Sequence, residues 1–182
     1  GKVYAMVSKP DFRPGLVEEN WQELNTDEDS LLLNRATQGL YPPGSTFKVV
    51  TALEYMREHP DDYQDFRYTC TGHTNIGSLS IQCYGGAVHG TVDLEEAVEK
   101  SCNTAFVHLA EEVDKEKLAS FAGDLMYNSK ISINLQATSS RFTFNGDSGT
   151  NELAQTAIGQ GKTLITPLQN AMVMCAIAND GV

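Results

Sequence analysis

Five stretches of this 182-residue chain carry apolar residues at helical spacing, whereas a single stretch alternates cleanly enough to read as a strand. That imbalance excludes a balanced, doubly wound α/β sheet. The strand candidate, Lys2 to Ser8 (KVYAMVS), stops before Pro10. A lone strand leaves unpaired backbone on both edges, so its partners are expected from further along a longer protein or from another chain. The run begins at the second residue, and the sequence therefore reads as an excised segment.

The first helix is expected to open at Ser45, after a Pro-Pro-Gly turn, with Val49, Ala52, Leu53 and Met56 on one stripe, and to end near His59-Pro60. Asp93 with Glu96 forms a capping-box signature for a second, which runs to Lys100. Ser101-Cys102-Asn103-Thr104 separates it from a third, with Phe106, Leu109, Ala110 and Val113 on one face. A fourth covers Lys115 to Leu125. The fifth starts at Thr166-Pro167, with Gln169 completing a second capping box, and closes at Asn179-Asp180-Gly181. Residues 11–30 read as a polar surface excursion, and residues 61–90 as loop and hairpin.

The length suits one domain with a proper core. A formal net charge of −11 argues against nucleic acid and against anionic lipid as partners of this surface. No apolar run reaches the length of a membrane span. The four cysteines include no C-x-x-C pair, so neither a zinc ribbon nor any other metal or cofactor is expected. Cys70 and Cys83 flank a turn-rich stretch. A disulfide between them stays open beside the favoured reading of separately buried free thiols.

From Ser45 to Leu53 the sequence STFKVVTAL holds one charge, Lys48. Residues three apart on a helix share a face, so the Lys48 amine overlies the turn that holds Ser45. Desolvation and the positive end of the helix dipole both lower its pKa. A neutral amine there is a general base for a serine nucleophile, and the same helix start offers N–H groups to an oxyanion. The bland alternative is a lysine that reaches out to water along its stem. Ser101 and Asn103 sit where two helices meet and can face one cleft, or simply cap helix ends. Ser132-Ile133-Asn134 repeats that spacing in an extended segment and is set aside. His89 reads as a structural loop residue, and His59, His73 and His108 as scattered and unpaired.

YPPGSTFK, GGAVHGTVDLEEAVEKSCNTAF and AIGQGKTLITPLQNAMVMCAIANDG resemble, in that order, the transpeptidase domain of penicillin-binding proteins. VYAMVSKPDF and LLLNRATQGLYPPGS are similar to that family's opening strand and its approach to the nucleophile. The resemblance implies an α+β fold, the sandwich of the penicillin-recognising serine transferases, here as a helical cluster with an incomplete antiparallel sheet. It implies Ser45 as acylated nucleophile, Lys48 as its base, Ser101 as proton relay to the leaving group, and Asn103 as a hydrogen-bond partner of the bound peptide. The implied activity is D,D-transpeptidation of D-alanyl-D-alanine stem peptides of peptidoglycan, inhibited by β-lactams. The class B enzymes that it most resembles are extracytoplasmic, anchored to the bacterial membrane by an N-terminal segment not in this sequence, and work within a cell-wall synthesis complex.

The family's Lys-Thr/Ser-Gly strand has no counterpart before Val182. Gly161-Lys162-Thr163 has the letters in the wrong order, and Gln22-Glu23-Leu24-Asn25 precedes the nucleophile, so neither serves as a family motif. Residues 1–182 are therefore expected to be part of a single transpeptidase domain, inactive or nearly so alone, with exposed sheet edges that favour self-association. A class D-type β-lactamase or β-lactam sensor also fits the nucleophile motif and would differ in deacylation rate. A non-catalytic interaction scaffold would show no acylation at all.

Overall fold

The computed structural model describes residues 2–181. Its helices are α1 (Trp21–Thr26), α2 (Phe47–Glu58), α3 (Leu94–Glu99), α4 (Asn103–Glu111), α5 (Lys115–Asp124), α6 (Thr150–Ala157) and α7 (Pro167–Ala178). The strands are β1 (Tyr68–Cys70), β2 (His73–Ile76), β3 (Leu79–Gln82) and β4 (Gly90–Val92). β1 pairs antiparallel with β4, Cys70 lying opposite Gly90, and β2 pairs with β3 in a hairpin that sets His73 opposite Gln82. The α+β class holds, with the sheet content reduced to two two-stranded ribbons.

Helix α2 is the centre of the packing and touches α3, α4, α5 and α6. It buries Phe47, Val50, Ala52 and Tyr55, and α4 answers with Ala105, Phe106, Leu109 and Ala110. Apolar burial of this kind supplies most of what fixes helices together, at about 25 cal/mol per Å² removed from water. Beneath the first turn of α2, Phe47 stacks on Phe142 at 5.7 Å and meets Tyr127 edge-on at 6.0 Å. These rings hold the start of α2 rigidly.

All five expected helices form, and two more were missed. α6 buries Leu153, Ala154, Thr156 and Ala157, but it is short and its N-cap is Gly149, which offers no capping side chain. Without a start signal it read as loop. α1 lies within the polar excursion and buries nothing. The Asp93–Glu96 capping box is complete. The second box is only half made: Thr166 accepts from the Gln169 N–H, but the Gln169 amide turns inward and donates to the Leu125 carbonyl. Ser140 Oγ takes the Thr166 N–H instead.

The strand expected over Lys2–Ser8 is a correction. Among the described residues these positions join no ladder, and Val3 and Tyr4 are 55% and 88% exposed. Alternation makes a strand only when a neighbour supplies hydrogen bonds. Met6 and Ser8 are anchored: the Asn34 amide donates to Met6 Sδ at 3.7 Å, and Ser8 Oγ donates to the Leu33 carbonyl and accepts from the Arg35 N–H.

The chain after α6 cradles the turn into α2. The Gly44 N–H donates to the Gly159 carbonyl at 2.8 Å, Tyr41 and Ile165 exchange two backbone bonds, and Thr51 Oγ1 donates to the Ala157 carbonyl. Gly159 has φ +69°, and a Cβ there would overlap the Gly44 carbonyl oxygen. Gly159→Ala is therefore expected to lower stability by more than ~1 kcal/mol. Gly123→Ala, within α5 and with open space at its Cβ, is expected to raise it by roughly 0.5–1 kcal/mol. Denaturant unfolding of the two variants checks the opposite signs.

Candidate active site

A single 3₁₀ turn, Gly44–Thr46, leads directly into α2, so Ser45 lies on the turn and Lys48 in the first turn of the α-helix. Ser45 is exposed, while Lys48 is only 2% exposed. The solvent-reaching alternative for Lys48 is thereby excluded. Its stem passes beside the Phe106 ring, with Nζ 5.7 Å from the ring centre. Nζ lies 3.3 Å from Ser45 Oγ, 2.9 Å from Ser101 Oγ, 2.7 Å from the Ser101 carbonyl oxygen and 2.6 Å from Asn103 Oδ1. The four residues singled out in the sequence thus meet at one nitrogen.

The inventory of donors assigns the protons. The Ser101 carbonyl and Asn103 Oδ1 can only accept, so each takes an N–H from Lys48. Asn103 cannot be turned the other way, because its Nδ2 donates to the Gln82 carbonyl at 2.7 Å. A neutral amine has two N–H groups, and both are then committed. Its lone pair is left facing two hydroxyls, Ser45 and Ser101, as a base for either. Burial, the main influence, lowers the Lys48 pKa to about 8, opposed in part by the nearby Cys102 and Cys83 sulfurs. At pH 7 roughly a tenth of the amine is then neutral, far more than for an ordinary lysine.

Ser101 is held at a strained position. The Cys102 N–H reaches the Ala97 carbonyl and the Ser101 N–H the Val98 carbonyl, which closes α3 in a Schellman motif. That motif asks for a left-handed residue, normally glycine, and Ser101 supplies it with φ 50°. A non-glycine residue there costs on the order of 1 kcal/mol. That cost places the Ser101 hydroxyl 2.9 Å from Lys48 Nζ.

The remaining candidates lie elsewhere. Ser132 and Asn134 are exposed in a stretch that belongs to no helix or strand, with a bend at Asn134. Lys162 pairs with Glu152 at 3.5 Å on the surface, and Gln22–Asn25 lies on exposed α1. His59 and His108 are not unpaired as expected: His59 faces Asp62, and His108 faces Glu111 and Glu112. Cys70, Cys83 and Cys102 are free and buried, but they are not separate, because their sulfurs lie together behind the Ser101–Asn103 loop. The Gln82 carbonyl, which orients Asn103, had no sequence signal, since a backbone group carries none.

The Penicillin binding protein transpeptidase domain family matches residues 1–182. The whole chain is 36% identical to part of the peptidoglycan D,D-transpeptidase PbpA of Mycolicibacterium smegmatis and 31% identical to part of the stage V sporulation protein D of Bacillus subtilis. It spans 39% and 27% of their lengths. Among solved structures, the ceftriaxone acyl-enzyme complex of penicillin-binding protein A from M. tuberculosis superposes with a TM-score of 0.87 at 33% identity, over all of this chain and 43% of that one. The Helicobacter pylori complex of PBP2 with MreC matches 90% of this chain and 33% of that one, with a TM-score of 0.80 at 25% identity. The chain belongs to the penicillin-binding protein transpeptidase domain family.

Proposed function

We propose that this chain supplies the nucleophile centre of a serine D,D-transpeptidase acting on the D-alanyl-D-alanine ends of peptidoglycan stem peptides. The observation that carries the reading is the buried Lys48 amine, which lies 3.3 Å from Ser45 Oγ while the Ser101 carbonyl and Asn103 Oδ1 each take one of its N–H groups. Ser45 Oγ attacks the penultimate D-alanine carbonyl as its proton passes to Lys48 Nζ. The charge on the tetrahedral oxygen is met by N–H groups at the start of α2. As the peptide bond breaks, the Ser101 hydroxyl protonates the departing D-alanine amine and is reprotonated from Lys48. Asn103 orients both Lys48 and the bound peptide. An acceptor amine of a neighbouring stem peptide then displaces Ser45, with Lys48 taking the proton from the attacking amine and returning one to Ser45 Oγ. A β-lactam carbonyl is opened by the same attack, as the acyl-enzyme complexes of the M. tuberculosis relative illustrate.

The parent protein is read as a bacterial cell-wall enzyme, extracytoplasmic and membrane-anchored. No helix among the described residues is long and apolar enough to cross a membrane. The H. pylori PBP2–MreC complex supports a cell-wall synthesis assembly as partner. The 182-residue chain by itself is expected to acylate far more slowly than the full-length protein, because transition-state stabilisation is shared among more groups than this cluster supplies. It is also expected to self-associate. α7 is apolar nearly all round yet fully buries only Gln169 and Val173, leaving Met172 and Ile177 41% and 43% exposed. A concentration-independent monomer in sedimentation would contradict this.

Mass spectrometry of the full-length protein after labelled penicillin should find one long-lived adduct, on Ser45, and none in Ser45→Ala. An adduct surviving that substitution contradicts the assignment, and rapid release of the adduct would mark a β-lactamase instead. The acylation rate should rise with pH through about 8, as the Lys48 amine loses its proton, and level off above it. A rate flat across that range would contradict a neutral base. Relief of strain at Ser101 separates stability from activity: Ser101→Gly should be more stable than Ser101→Ala by ~1 kcal/mol, while both lose acylation by roughly 10²-fold or more. Equal unfolding midpoints would remove the strain argument.

A further inference from the structure

Cys70 at the end of β1, Cys83 after β3, His89 before β4 and Cys102 between α3 and α4 come from four separate segments of residues 70–102. Their ligand atoms nonetheless all lie within 4.8 Å of one another, three of the four residues being buried. We propose that these residues form a zinc site, three thiolates and one imidazole, which fastens the Ser101–Asn103 loop to the two β-ribbons.

The distances carry the case. Bonds of about 2.3 Å to sulfur and 2.0–2.1 Å to nitrogen at tetrahedral angles place neighbouring sulfurs about 3.8 Å apart, and sulfur and nitrogen about 3.5–3.6 Å apart. The observed edges are 3.7 Å for Cys70–Cys83, 3.8 Å for Cys83–Cys102 and 3.5 Å from Cys70 Sγ to His89 Nδ1. Three of the six edges thus match a zinc tetrahedron, the other three are no longer than 4.8 Å, and the Cys70–Cys83 separation is far longer than the ~2.05 Å of a disulfide. Soft thiolates with one imidazole in tetrahedral array select zinc over hard cations. Outer groups also fit. The Gly72 N–H points at Cys70 Sγ at 3.4 Å, and the Thr104 hydroxyl lies 3.4 Å from Cys102 Sγ and 3.8 Å from Cys83 Sγ, so both can donate to thiolates. On binding, each thiol gives its proton to solvent and His89 coordinates as the neutral ring.

A staple here has a mechanical reason. Two-stranded ribbons of three or four residues are marginal alone, and these ribbons carry the Gln82 carbonyl that orients Asn103. Cys102 lies between the two residues that bond Lys48. The sequence concealed the site because its ligands come singly rather than as C-x-x-C pairs. The site itself stands independently of the acylation chemistry proposed above.

The test is metal analysis of the full-length protein, purified under reducing conditions with zinc supplied. About one zinc per chain is expected, falling at least tenfold in Cys83→Ser and in His89→Ala but retained in Cys175→Ser, whose parent thiol is exposed. If those variants fail to fold, cobalt replacement in the parent protein should give thiolate-to-metal charge-transfer and tetrahedral ligand-field bands that a chelator abolishes. Zinc-free protein, cobalt bound without those bands, or a Cys70–Cys83 disulfide under these conditions would overturn the proposal. Since metal content is read without any substrate, failure of the zinc site and failure of the transpeptidase reading are distinguishable.

Discussion

Lys48 Nζ joins the start of α2 to the α3–α4 junction through the Ser101 carbonyl, the Ser101 hydroxyl and Asn103 Oδ1. A buried amine must be fully hydrogen-bonded or it costs several kcal/mol, so these partners are obligatory, and their positions follow from Lys48 as much as its position follows from them. Burial that would merely destabilise an ordinary lysine lowers the pKa of this one, as the proposed base requires. The same contacts that satisfy it hold the Ser45 hydroxyl and the Ser101 hydroxyl on either side of its lone pair.

Two kinds of rigidity meet at that nitrogen. On one side, Phe47 is locked among Tyr127 and Phe142, and Gly44 lies against Gly159, so the turn that carries Ser45 has little freedom. On the other, the loop of Ser101 to Asn103 closes a Schellman motif with a serine where glycine would be easier, and it packs on three clustered thiols. The first side is ordinary apolar packing. The second is strained at Ser101, and the proposed metal–thiolate site would anchor it.

The helices were legible because their signals are local. Asp93 with Glu96, Pro167 after Thr166, and the stripe from Phe106 to Ala110 each lie within a few residues of what they specify. Ser45 and Lys48 were legible for the same reason, being one turn apart. What escaped was non-local. α6 owes its form to burial of Leu153 and Ala154 rather than to a cap, Gln169 left its expected cap for the distant Leu125 carbonyl, and residues 2–8 found no ladder. Ser101 and Asn103 were only permitted by spacing and needed the family resemblance. The grouping of Cys70, Cys83, His89 and Cys102 depends on the pairing of β1 with β4, which no short window of sequence encodes.

The most direct measurement is an NMR titration of the Lys48 side chain in the full-length protein, assigned by comparison with Lys48→Arg. The expected result is a midpoint near about 8, well below the 10.5 of an ordinary lysine, rising when Phe106→Ala admits water to the amine. A Lys48 resonance that titrates at 10.5 would contradict a neutral base at the centre of the site.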